Sequence, residues 1–213
     1  MITALYLAHL NPVTNAHVEI ISELKKEADI VKVMPVVFKD GEREINSRSF
    51  PFNFETRKKM LMSIFGDSIQ ISDDYAFFAP FKKYLPPLLT PKSWQLRKQV
   101  LRGVKGGFFS YTGDKVEGYM LKFYGLKPRI RARKRLSASL VKEKLFDAAL
   151  GKESSWKKDV PESIAKIIEE EWKTVQKFAN SEDMTRRVAG MKFPKEGYSQ
   201  KTLDIHPGSK PKI

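Results

Sequence analysis

Ile2-Thr3-Ala4-Leu5-Tyr6-Leu7-Ala8 is a short apolar run of strand length, followed by the polar, proline-containing stretch His9-Leu10-Asn11-Pro12-Val13-Thr14-Asn15. A helical pattern then begins. Val18, Ile21 and Leu24 recur at threes, and Ile20, Leu24 and Ala28 at fours, with Thr14 or Asn15 suited to cap the helix. Asp29 to Val37, containing Ile30, Val31, Val33, Val36 and Val37, reads as a second buried strand. Strand, turn, helix and strand in this order make a βαβ unit, whose two strands are expected to be parallel.

The pattern continues outward from that unit. Phe38 to Asn53 is charged and reads as an irregular loop over one end of a sheet. Asn53 can cap a helix from about Phe54 to Phe65 with Met60, Leu61 and Ile64 facing inward, and Ser68 to Ser72 is a candidate strand. Tyr75 to Pro91 mixes aromatics with Pro80, Pro86, Pro87 and Pro91 and predicts no regular element. Lys92 to Gly103 predicts a helix, Gly107 to Thr112 a strand, Asp114 to Tyr124 a helix and Arg129 to Ala132 a last strand. Helices are predicted at about Ser139 to Leu150 and Pro161 to Ala179, with Pro161 in a first helical turn. The expected fold class is α/β: a Rossmann-like open, mostly parallel sheet with a helical C-terminal segment. Residues 1–150 would form the α/β domain and 151–180 a helical segment packed on it. Residues 181–213 would form a polar, partly flexible tail whose end, His206 to Ile213, is mobile.

Composition narrows the function classes. The 213 residues are 41% hydrophobic and 11% aromatic, which suits a packed domain and argues against global disorder. Cysteine is absent, which removes disulfides and thiolate metal sites. His9, His17 and His206 are the only histidines, so a multi-histidine zinc site is not expected. The first residues are apolar but lack a basic flank and a cleavage pattern, and no apolar run approaches ~20 residues, the length of a membrane span. A cytoplasmic protein without a membrane partner is the default expectation. The net charge of +14 points to an anionic partner, a nucleotide, nucleic acid or anionic lipid, unless it only keeps the surface soluble.

In open parallel sheets the first βα turn, beyond the carboxyl end of its strand, is the usual phosphate site. Helix N-termini offer unpaired N–H groups and partial positive charge there. This turn carries Asn11, Thr14, Asn15, Ala16 and His17. His17 can donate a hydrogen bond to a phosphoryl oxygen and Thr14 adds a hydroxyl, although a cap beside a surface histidine would give the same spacing. A second candidate is Arg133-Lys134-Arg135-Leu136-Ser137-Ala138-Ser139-Leu140-Val141-Lys142-Glu143. Two hydroxyls begin a helix, Lys142 follows about one turn in, and basic residues precede it, a good setting for β- and γ-phosphates. A Ser-capped amphipathic helix with a solvated basic flank reads the same way.

Pro12-Val13-Thr14-Asn15-Ala16-His17 resembles the (H/T)xGH signature of the cytidylyltransferase-like nucleotidyltransferase superfamily, in the D-P-V-T-N-G-H form of phosphopantetheine adenylyltransferases. Ser137 to Glu143 is similar to the S-S-S-L-V-K-E form of that superfamily's ISSTxxR motif. Asn11, Ala16 and Ala138 depart from the pattern, and Ala16 places a methyl where backbone would approach a ligand. Phe52 to Arg57 resembles the F-S-x-E-E-R start of the family's second helix, and Leu101 to Lys105 its R-G-L-R segment. Phe108 to Lys115, with Gly113-Asp114, is instead similar to nicotinamide mononucleotide (NMN) adenylyltransferases.

The resemblance implies adenylyl transfer from ATP to a phosphorylated small-molecule acceptor with release of pyrophosphate, best matched by 4'-phosphopantetheine going to dephospho-CoA. NMN adenylyl transfer, or cytidylyl transfer from CTP, is the alternative, and a catalytically decayed nucleotide- or RNA-binding protein is another. Mg2+ would arrive with the triphosphate. Thr14, His17 and Lys142 would be catalytic, while His9, Asn11, Ala16, Gly113, Asp114, Ser137, Ala138 and Ser139 would bind nucleotide. Lys39, Arg57 and Arg102 would take the acceptor's phosphate, unless they are solvated surface charges. Trp94 could stack on a ring or belong to the core.

Overall fold

The computed structural model describes residues 1–84, 91–132, 134–188 and 191–195. In chain order it contains β1 (Ile2–Ala8), α1 (Asn15–Glu27), β2 (Ile30–Pro35), β3 (Val37–Asp40), β4 (Arg43–Glu44), α2 (Phe54–Phe65), β5 (Gln70–Ile71) and β6 (Ala76–Phe78). There follow α3 (Pro91–Val100), β7 (Gly107–Thr112), α4 (Lys115–Phe123), β8 (Pro128–Ile130), α5 (Ala138–Ala149), α6 (Glu162–Glu170), α7 (Trp172–Ala179), β9 (Thr185–Val188) and β10 (Met191–Pro194).

The main sheet has the order β5-β2-β1-β7-β8, with every neighbouring pair parallel. β1 is apolar along its length because both of its faces are covered. Ala4 and Tyr6 enter a core shared with Ile21 and Leu24 of α1, Leu61 of α2, Leu145 of α5 and the helices after it. Leu5 and Leu7 alternate to the other face, among Phe38, Phe77, Val100 and Leu121. The chain winds from β1 to β2 and β5 on one side, then returns to β1 to place β7 and β8 on the other. The order therefore reverses between β1 and β7, where the carboxyl ends of the strands leave a crevice.

Lys32 interrupts the apolar pattern of β2 and is only 5% exposed. Its ammonium is satisfied by Asp74 at 2.8 Å and the carbonyls of Arg102 at 2.9 Å and Val100 at 3.3 Å.

Four expectations change. The predicted strand to Val37 ends at Pro35, and Val36 donates its N–H to the Ala8 carbonyl at 2.9 Å. Val37 onward then builds a second sheet, β4-β3-β6, from the stretches predicted to be irregular. Strands of two to four residues are too short to show a period. The helix predicted over Pro161 to Ala179 breaks at Glu171 into α6 and α7, and Pro161 caps α6 rather than lying in its first turn. The expected tail contains the hairpin β9–β10, which is anchored by Phe193 between Phe38 and Phe77. His206 to Ile213 and Arg133 lie outside the described residues. No described helix is long and apolar enough to cross a membrane.

Candidate active site

A cavity of about 250 Å³ opens at the reversal point between β1 and β7. Its floor is the end of β1 and the following loop, a geometry held by side chains that do not themselves line it. Asn11 is fully buried and pairs with the Phe52 backbone in both directions, donating at 2.6 Å and accepting at 3.1 Å. Arg57, 2% exposed, donates to the carbonyls of His9 at 2.9 Å, Val36 at 2.7 Å and Asn53 at 3.2 Å, and to Glu44 at 2.9 Å. These bonds use the guanidinium up inside the protein. They tie the loop to the residue that follows β2 and to the start of α2.

The loop delivers α1 with its N-terminus at the cavity. The Thr14 N–H donates to His17 Nδ1 at 3.0 Å, and the Thr14 hydroxyl lies 3.1 Å from the same nitrogen. That bond requires a lone pair on Nδ1, so the neutral ring carries its proton on Nε2, the nitrogen left for the cavity. Burial, then the nearby Lys142 ammonium, pushes the His17 pKa down to about 4, which keeps the ring neutral at pH 7. Ala16 also lines the cavity and is 7% exposed.

α5 presents a second N-terminus. Ser137 caps it by accepting from the Leu140 N–H at 3.3 Å, and Ala138, Ser139 and Lys142 line the cavity. Lys142 is 7% exposed and donates to the Asn11 carbonyl at 3.0 Å, which joins the two candidate motifs directly. Burial and then Lys192 lower its pKa to about 7. A bound polyanion would favour the charged amine. At pH 8 polyphosphate binding is therefore expected to take up as much as one proton, and at pH 5.5 almost none. Titration calorimetry in buffers of differing ionisation enthalpy would measure this, and Lys142→Met should abolish the uptake.

The wall from β7 consists of Tyr111, Thr112, Gly113 and Asp114, with Glu117 behind them. Asp114 caps α4 by accepting from the Glu117 N–H at 3.0 Å. Thr112 donates to the Glu117 carboxylate at 2.5 Å. Burial, with a smaller push from Asp114, nevertheless raises the Glu117 pKa to about 7. Its contribution to stability is thus complete below about pH 4.5 and is lost as the pH rises through 7. Glu117→Gln is expected to match the wild-type stability near pH 4.5 and to exceed it at pH 8 by on the order of 2 kcal/mol, readable from paired thermal melts.

The opposite wall holds His9, Ser49, Phe50, Arg187 and Lys192. His9 stacks on Phe50 with centroids 4.9 Å apart, and both of its buried ring nitrogens lack a partner. Desolvation and the neighbouring cations, Lys142 first, push its pKa to about 3. Lys192 donates to Ser49 at 2.8 Å and to Asp183 at 2.9 Å, which pins the hairpin to this wall.

The structure thus gathers His9, Ala16, His17, Gly113, Asp114, Ser137, Ala138, Ser139 and Lys142 around one space. Asn11 and Thr14 frame it from behind. The three residues assigned to the acceptor's phosphate stand outside the cavity lining. Arg57 is internal, Lys39 pairs with Asp73 at 3.1 Å, and Arg102, 70% exposed, pairs with Asp74 at 3.5 Å. Of the basic flank before Ser137, Lys134 lines the cavity but bonds Glu19 at 2.6 Å and Glu23 at 3.0 Å of α1. Glu117, Arg187 and Lys192 are the chemically capable residues that sequence reading missed. Glu117 stands in the first turn of α4, where helices ordinarily carry an acid, and the two cations fall in the expected tail.

Among solved structures of this fold, a bifunctional NMN adenylyltransferase/ADP ribose pyrophosphatase from Francisella tularensis matches 83% of this chain with a TM-score of 0.61 and 16% identity. The match covers 52% of that protein, so this chain spans about half its length. A second structure of such a protein from Francisella tularensis, complexed with AMP and a Mn ion, matches with a TM-score of 0.57 and 16% identity, over 83% of this chain and 51% of that one. A proposed nicotinate-nucleotide adenylyltransferase from Vibrio parahaemolyticus matches 82% of this chain and 95% of its own, with a TM-score of 0.52 and 12% identity. No protein-family model and no curated protein matches the sequence. At these identities the likeness establishes the fold: a mostly parallel α/β sheet with flanking helices, shared with adenylyltransferases.

Proposed function

We propose that the chain is a nucleotidyltransferase that moves an adenylyl group from ATP to a phosphorylated acceptor. The observation that carries this reading is the convergence of two helix N-termini, the Nε2–H of His17 and the Lys142 ammonium on one cavity at the reversal point of the sheet. An oxygen of the acceptor's phosphate attacks the α-phosphorus, the α–β bridging P–O bond breaks, and pyrophosphate leaves. His17 donates to the α-phosphoryl oxygens as charge builds there. Ser139, Lys142 and the α5 N-terminus hold the β- and γ-phosphates. His9 and the cations of the hairpin face the remaining space, where the acceptor's phosphate fits.

Among the described residues no group of three or more His, Cys, Asp or Glu could hold a metal ion. Mg2+ would arrive with the triphosphate, as MgATP. A pyridine mononucleotide stands ahead of 4'-phosphopantetheine as acceptor. The similar structures are named for NMN and nicotinate-nucleotide adenylyl transfer, and Gly113-Asp114 occupies the wall where the sequence resembles those enzymes.

Incubation with ATP or CTP and each of NMN, nicotinate mononucleotide and 4'-phosphopantetheine, followed by pyrophosphate release and product mass, tests the proposal. A dinucleotide product from ATP and a pyridine mononucleotide is expected. ATP binding with no pyrophosphate from any acceptor would instead support the decayed-transferase reading.

A further inference from the structure

Between Pro91 and Arg135 the sequence holds 13 Lys or Arg against two Asp or Glu, so this stretch carries +11 of the whole chain's +14. The two acids are engaged locally: Asp114 caps α4, and Glu117 accepts from Thr112. The cations are therefore not balanced within their own segment. Arg129, Arg131 and Lys134 turn to Glu19, Glu23 and Glu27 of α1. Among the described residues no ion pair involves Lys98, Lys115 or Lys122.

These three amines flank exposed rings. At about 100° per residue, Lys115, Val116, Tyr119, Lys122 and Phe123 fall within an arc of about 120° on α4. Tyr119 is 71% exposed and Phe123 53%. Trp94 of α3, 44% exposed, meets Phe123 at 6.2 Å between centroids and Tyr124 edge-on at 5.3 Å. Lys98 follows Trp94 by one turn on the same helix face. The two helices thus present a cluster of Trp94, Phe123 and Tyr124, with exposed Tyr119 one turn from Phe123 on α4, bordered by amines. None of Trp94, Tyr119 or Phe123 lines the cavity.

We propose that this α3–α4 face binds single-stranded nucleic acid, its rings stacking on bases and its amines following the phosphates. Flat, sequence-tolerant stacking beside cations is the arrangement such strands require. A second copy docking through the same face would bring like charges together. The proposal stands apart from adenylyl transfer, because its residues and those of the cavity do not overlap.

Anisotropy of labelled oligouridine of about 20 nucleotides with the full chain, titrated across salt concentrations, tests it. Binding is expected. Tyr119→Ala should weaken it by about fivefold or more with no change in the salt slope, since the charge is unaltered. Replacing Lys98, Lys115 and Lys122 together by Gln should lower the slope by about 2, whereas Lys173→Gln with Lys177→Gln on α7 should leave it nearly unchanged. Trp94→Ala should act like Tyr119→Ala; if it fails to fold, Tyr119→Ala alone decides. The proposal is overturned by absence of binding, by equal losses from the α7 pair and the α3–α4 triple, by capture of phosphatidylserine vesicles without RNA binding, or by Tyr119-dependent dimerisation without RNA binding. Pyrophosphate release by Tyr119→Ala should equal that of the unmodified chain, which separates this test from that of the transferase reading.

Discussion

His17→Ala is expected to lower turnover by about 10²–10³-fold while changing the KM for ATP only a few-fold. The reason is geometric. The Thr14 N–H occupies Nδ1 at 3.0 Å, so the ring offers a proton only from Nε2. Its depressed pKa keeps it a neutral donor rather than a cation that would hold ground-state ATP equally well. A neutral donor aimed at developing charge contributes mainly to the transition state. His17→Asn should recover part of the loss if its amide reaches the same oxygen. Circular dichroism should stay near wild type while the melting temperature falls modestly, because the substitution leaves the Thr14 N–H of the α1 cap without its acceptor. Single-turnover kinetics with the fitting acceptor gives the measurement. Full activity of His17→Ala would remove the catalytic assignment.

The second large effect concerns stability. Arg57→Met is expected to cost about 3–5 kcal/mol in urea unfolding with little change in the slope. The substitution preserves volume but strands the carbonyls of His9, Val36 and Asn53, and it leaves Glu44 half-buried without its cation. Burial already raises the Glu44 pKa, with Arg57 opposing that rise. Removing Arg57 should raise it further, so the deficit of the variant should shrink at low pH as Glu44 protonates. Arg57→Met with Glu44→Gln should recover part of the loss, the coupling expected of a paired buried charge. Because Arg57 holds the His9 carbonyl, turnover should also fall even at temperatures where the variant is folded.

Arg57 illustrates how far the site could be read before the fold was known. Its sequence neighbourhood resembled a family helix start, and its charge suggested a phosphate ligand. Only packing shows the guanidinium enclosed by β1, β2 and α2. Asn11 is similar: its place in the motif suggests a nucleotide contact, yet both ends of its amide are spent on Phe52. Local matches suggest Lys39 and Arg102 as phosphate ligands, and each pairs with a carboxylate outside the cavity. Trp94, open to either reading, is exposed.

Local order was legible wherever a period or a cap is written in neighbouring residues. The run Ile2 to Val37 determined a parallel βαβ unit, because its strands had to be buried on both faces and its helix had to cross between them. Asn53, Asp114 and Ser137 could be assigned as helix starts or caps because capping is a contact between residues three apart. Which groups meet across the fold depends on contacts between distant segments, about which neighbouring residues carry no information. The Lys142–Asn11 bond, the partnerless His9 on Phe50, the partly buried carboxylate of Glu117 and the hairpin cations at the cavity wall belong to that second class. The sequence alone determined where α1 and α5 begin. The tertiary structure decided which side chains face the cavity between them, because burial and strand order, not spacing, set the neighbours of a charge.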